Sequence, residues 1–161
     1  MKLIPLTKGQ FAKVDDSDFN KFGHLTWRAE WAPGTKSFYA VRSLPRDADG
    51  NNKNERMHRM ILGLTDSRIK ADHINHDTLD NQRHNLRPCT QAQNGANRKN
   101  QANNTSGFRG VYWNKRSNKW QAQLRFKGKR MSLGYYHTLA DAADAYAAGN
   151  KKYFGEFGGV A

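Results

Sequence analysis

The alternation of apolar and polar positions is clearest in the last third of the chain. Phe108 to Asn114, Lys119 to Phe126 and Lys129 to Tyr136 read as three strands, joined by Lys115-Arg116-Ser117-Asn118 and by Lys127-Gly128. Both connections are short enough to be hairpin loops. In the middle run Trp120, Ala122, Leu124 and Phe126 share one face, and Gln121, Gln123 and Arg125 share the other. One face is fit for burial and the other for a hydrophilic partner. Thr138 then stands as N-cap to an Ala-rich run from Leu139 to Gly149, with Asp141 in its first turn and Gly149 as the expected stop. A helix so rich in Ala can lie close against a sheet. The pattern predicts a three-stranded antiparallel sheet backed by one helix.

The earlier chain is less regular. Gln10 to Val14, Thr26 to Trp31 and Ser37 to Ser43 read as short strands, and Asp16-Ser17-Asp18 with Phe19 and Phe22 as a capped helical turn or two. The turn cluster 47–52 leads into Glu55 to Leu62. Thr90-Gln91-Ala92-Gln93 reads as a capping box opening a helix, which puts Asn94 near its N-terminus. The polar run Asn97 to Gly107 has no apolar period and divides the sequence as an exposed linker. The expected class is α+β.

Charge sharpens this picture. Across 161 residues there are 27 Lys and Arg against 14 Asp and Glu, a formal charge of +13. Residues 101–161 alone carry 10 basic and 3 acidic residues, so attraction to a polyanion should rise toward the C-terminus. No run approaches the ~20 apolar residues of a membrane span, and no signal-peptide pattern opens the chain. Cys89 is the one cysteine, which excludes an intrachain disulfide and a multi-cysteine zinc site, and it fits a reducing compartment. The expected setting is the cytoplasm.

Candidate chemistry is densest from Asp72 to Arg98. Hydrolysis of a phosphodiester needs a base to activate water, a cation at the phosphate, and a means of orienting the base. His73 can be that base because imidazole titrates near neutrality, and Asp72 beside it is an oxygen ligand. Three His within twelve residues could also suggest zinc, but the thiolates of structural zinc sites are missing. An Asp with an Asn carbonyl favours a hard ion, Mg²⁺ or Mn²⁺. His76 and His84 read as solvated loop residues and His58 as a structural one, with Arg59 a possible phosphate contact.

The stretch Asp72-His73-Ile74-Asn75, Leu79-Asp80-Asn81, Asn85-Leu86-Arg87 and Gln93-Asn94-x-x-Asn97-Arg98 resembles the HNH nucleases of phage and group I intron origin, in their His-Asn-Asn branch. The resemblance implies a ββα-metal fold in which His73 is the general base and Asn85 fixes its ring. Asp72 and Asn94 become ligands of one divalent ion. His76 departs from the pattern, since relatives often have Gly there. The first fifty residues resemble the segment that opens phage relatives, a β-rich part supporting the nuclease hairpin.

The tail, through Ser106-Gly107-Phe108-Arg109-Gly110-Val111, Leu133-Gly134-Tyr135-Tyr136 and Ala142-Ala143-x-x-Tyr146, resembles an AP2 domain. That resemblance implies a sheet face entering the DNA major groove through Arg109, Tyr112, Asn114, Gln123, Arg125, Arg130 and Ser132. Arg98 and Lys99 would add phosphate contacts. Trp113 and Trp120 read as core or hinge residues.

The sequence therefore leads to four segments: a β-rich region at 1–52, a nuclease centre at 53–100, a linker at 101–107 and a DNA binder at 108–161. The expected protein nicks one strand of double-stranded DNA with one divalent cation, as a monomer or weak dimer, with no membrane or small-molecule partner. The rival expectation is a DNA-binding regulator without catalysis.

Overall fold

A computed structural model describes residues 1–46, 48–98 and 104–158. The chain is α+β, built on small antiparallel sheets. Its contacts gather into two units, Met1–Thr90 and Gln91–Ala161.

The first unit opens with a hairpin of β1 (Lys2–Pro5) and β2 (Phe11–Val14), followed by α1 (Asp16–Phe22). Strands β3 (Arg28–Ala32), β4 (Ser37–Ser43) and β5 (Asn54–Arg56) form a three-stranded sheet, and α2 (Met57–Ile61) leaves directly from β5. A second hairpin pairs β6 (Lys70–His73) with β7 (Leu86–Cys89), with one 3₁₀ turn at Arg83–Asn85 just before β7. The core is Ile4, Ala12, Val14, Trp27, Ala40, Met57, Ile61 and Leu86. Ile4, Val14 and Met57 are almost fully buried, each worth about 1.5–3 kcal/mol of transfer free energy. The Trp27 indole N–H donates to the Phe22 carbonyl at 3.0 Å, so the ring is buried with its polar atom satisfied.

Strand β1 is absent from the sequence reading. Only Ile4 of its four residues faces the core and Pro5 ends it, so the run is too short to show alternation. Helix α1 follows Asp15, whose carboxylate does not cap it. That carboxylate accepts instead from the Arg83 backbone N–H at 2.8 Å and from Gln82 at 3.2 Å.

The second unit contains α3 (Gln91–Ala96), the meander β8 (Val111–Asn114), β9 (Lys119–Phe126) and β10 (Lys129–Tyr136), and α4 (Leu139–Phe154). Its core joins Val111, Ala122 and Leu124 to Ala142, Tyr146 and Phe154 of α4. The Thr138 hydroxyl accepts from the Asp141 N–H at 3.1 Å, the expected cap. Gly149 does not end the helix. A Cβ there would come within 2.7 Å of Leu133 and 3.3 Å of Leu124, so this glycine lets α4 approach the sheet, and the helix continues to Gly155 at φ 57°. Gly110 has a similar purpose, since a Cβ at its φ of 68° would lie 2.1 Å from the Tyr146 ring. That turn is why the first strand begins at Val111 rather than Phe108.

The division after Thr90 comes ten residues before the linker expected from sequence. Arg109 accounts for much of it, donating to the carbonyls of Gly95, Ala96 and Arg98 at the end of α3. Of the expected linker, residues 101–103 lie outside the described residues. Asn104 to Gly107 form a bonded turn: Asn104 accepts from the Ser106 N–H at 3.0 Å and donates to the Phe108 carbonyl at 2.9 Å.

Candidate active site and nucleic-acid interface

Register on the β6–β7 hairpin places Asp72 opposite Arg87 and His73 opposite Leu86. Because side chains alternate along a strand, Asp72 and His73 leave opposite faces. Arg87 donates from Nε and from its terminal nitrogen to the same Asp72 oxygen, Oδ2, at 2.9 and 2.8 Å. Both side chains are largely buried.

His73 is 6% exposed. Its Nε2 lies 3.4 Å from Oδ1 of Asn81, which is itself wholly buried. The Asn81 amide has one sensible orientation, since its Nδ2 donates to the Leu79 carbonyl at 3.1 Å. Oδ1 can only accept, so it holds the proton on Nε2 and puts the lone pair on Nδ1. Burial pushes the His73 pKa below its ordinary value, against smaller opposing contributions from Asn81, Asp72, Asp77 and Asp80. The ring is thus neutral near pH 7. It packs edge-on against His58, centroids 5.0 Å apart, and against Tyr39 at 6.1 Å. Burial also drives the His58 pKa well down, helped by His73, Arg56 and Arg59.

Asn85 works on the loop beyond His73. Its Oδ1 accepts from the Asn75 N–H at 2.9 Å, its Nδ2 donates to the Asp80 carbonyl at 2.8 Å, and its carbonyl accepts from Ile74 N–H at 2.9 Å. The loop is closed at both ends by one buried amide. His76 sits in it at φ 65°, the left-handed region where glycine is the easy residue.

The N-terminal elements also reach this loop. Lys13 N–H donates to the Leu79 carbonyl and Asn81 N–H to the Lys13 carbonyl, both at 2.8 Å. Fully buried Asp18 takes two bonds from Arg83, at 2.8 and 2.7 Å. Thr78 donates to the Phe38 carbonyl. Arg59 donates to the carbonyls of Ile69, Leu64 and Asp66 at 2.6–3.1 Å, so its guanidinium braces a loop.

Asn94 is half-buried in α3, among the residues of the second unit. Asp72 in the first unit offers a carboxylate oxygen and Asn94 in the second an amide oxygen, each of a kind that suits a hard divalent ion. Among the described residues no three His, Cys, Asp or Glu side chains form a metal-holding group.

On the sheet of the second unit, Gln123 pairs with Ser132, Arg125 with Arg130 and Tyr112 with Gln121. Tyr112, Asn114, Gln123, Arg125, Arg130 and Ser132 therefore share the face opposite the α4-packed core. Tyr112 donates to Gln123 at 2.9 Å and Asn114 to Gln121 at 3.0 Å, which orders the polar side chains in advance. Arg109 does not join them, being held by the α3 carbonyls. Arg98 is exposed, and Lys99 lies outside the described residues. Trp113, 42% exposed, packs edge-on against Trp120.

Sequence reasoning passed over Asn81, Tyr39 and Tyr135. Asn81 stands within the motif Leu79-Asp80-Asn81 and Tyr39 within strand β4, but only the fold brings either to His73. Tyr135 is 48% exposed and faces Gln121, because the register shifts between Ser132 and Gly134. Simple alternation from Ser132 points it the other way.

Among the described residues no helix is long and apolar enough to cross a membrane. In comparisons with family models, curated proteins and solved structures, nothing matched this chain.

Proposed function

We propose that the chain is a metal-dependent DNA endonuclease of the HNH type, cutting one strand of a duplex that its second unit, an AP2-like sheet, holds. The observation that carries this reading is His73: a buried, neutral imidazole with its tautomer set by Asn81 and its loop closed by Asn85, adjacent in sequence to a carboxylate.

In this reading His73 Nδ1 takes a proton from water as the water oxygen bonds to phosphorus. The bond to the 3′ oxygen breaks and that oxygen takes a proton from a solvent water, leaving a 5′-phosphate and a 3′-hydroxyl. Asp72 and Asn94 would hold Mg²⁺ or Mn²⁺, which when bound supplies positive charge at the phosphate and leaving oxygen. Arg87 keeps Asp72 in place on the hairpin. The polar sheet face carries Gln123, Arg125 and Arg130, side chains able to bond base edges or phosphates.

The test is plasmid nicking by the full chain with and without Mg²⁺, beside His73→Ala. Metal-dependent nicking that the substitution removes supports the reading. Tight DNA binding with no nicking by the wild type would instead favour a non-catalytic DNA-binding regulator.

A further inference from the structure

Three arginines stand on the β3-β4-β5 sheet, and two are neutralised: Arg28 pairs with Glu30 at 2.9 Å and Arg42 with Glu55 at 2.7 Å. Arg56, exposed at the end of β5, has no carboxylate partner among the described residues. Its guanidinium lies over the Tyr39 ring, 4.8 Å from the centroid. That ring also meets His58 at 5.6 Å and His73 at 6.1 Å. Register explains the arrangement, for Arg56 faces Val41, and Tyr39 is two residues along β4 on the same face.

Other cations near the His73 loop are engaged: Lys13 by Asp77, Arg83 by Asp18, Arg87 by Asp72, and Arg59 by three carbonyls. A guanidinium stacked on an aromatic ring keeps its planar N–H edge for an acceptor, and that fork matches a phosphate. Its charge already reaches inward, being one of the causes that depress the His58 pKa.

We propose that Arg56, seated on Tyr39 one aromatic ring away from His73, binds a backbone phosphate of the DNA flanking the scissile one. This rests on the nuclease reading and adds a phosphate contact within the first unit. A flanking phosphate keeps its charge through the reaction, so the contact is equally strong in ground and transition states and acts on KM.

The experiment uses the full chain, with duplex DNA binding measured on a His73→Ala background and nicking on the active one. Arg56→Gln should lower the slope of log K against log salt by about 0.9, the worth of one phosphate. It should cut kcat/KM by about tenfold, carried by KM, since a charge-assisted contact is lost. Arg56→Lys should restore the slope but only part of the affinity, because the fork and the stacking are gone. An unchanged slope and KM beside an active wild type overturns the phosphate contact and leaves the nuclease reading standing. A fall in melting temperature paralleling the loss of binding overturns it as well, as a structural role. A wild type that neither binds nor nicks DNA removes both.

Discussion

Burial and a lowered pKa suit His73 to the base role proposed for it. His73→Ala should lower nicking by about 10²–10⁴, the usual worth of a positioned base, with DNA affinity nearly unchanged. Nicking within a few-fold of wild type would take the residue out of that role. The same burial makes stability depend on pH. His58 and His73 both have depressed pKa values in the fold, so just below the ordinary histidine value the unfolded chain binds more protons than the folded one. Stability contributed by the neutral rings is whole above that value and falls as the pH drops toward the folded pKa values. The melting temperature should therefore fall from pH 7.5 to 5.5, and His58→Phe should flatten that profile; a profile flat in the wild type contradicts burial of neutral rings. His76 gives a second local test. At φ 65° a β-branched side chain is strained, so His76→Val should cost about 1–2 kcal/mol in a denaturant melt while His76→Gly costs little.

At the scale of elements, the loop after β6 is held from a distance. Asp18 is fully buried and its partner Arg83 is half exposed, so Arg83→Ala leaves a carboxylate uncompensated in the interior. Discounting for solvent at the guanidinium, the loss should be about 2 kcal/mol by chemical denaturation. Replacing Asp18 with Asn in the same chain should recover part of it. A neutral Arg83→Ala would mean the pair is not what fastens α1 to the loop. Strands β9 and β10 were legible to the residue because alternation and the flanking Lys127-Gly128 turn agree. Tyr135 was not, because one register shift reverses the phase after Ser132 and a period-two pattern cannot see it. Nor could sequence show that α4 outlasts Gly149: the signal for a helix stop and the signal for close packing are the same residue. Asn81 was hidden for another reason. Its chemistry depends on a buried amide whose orientation is fixed by Leu79, a contact that spacing does not encode.

Over the whole molecule, charge is divided unequally between the two units. Residues 91–161 hold 12 basic and 3 acidic side chains, net +9 of the +13. A chain ending at Thr90 should therefore lose most of its DNA affinity and most of its salt dependence, each phosphate contact being worth about 0.9 in slope. On the proposed assignment it should also lose Mg²⁺-dependent nicking, since Asn94 goes with it. Equal affinity and slope in the two proteins would show that the tail is not the DNA anchor.

The bonds described around His73, from Asn81, Asn85 and the strand containing Lys13, all lie within the first 90 residues. In a chain growing on the ribosome the segments that orient His73, the proposed base, are thus made before Asn94, since domains generally fold N-terminal first during synthesis. On the proposed assignment, a nascent chain carries an oriented base without its full set of metal ligands, and the capacity to cut arises together with the unit that grips the DNA.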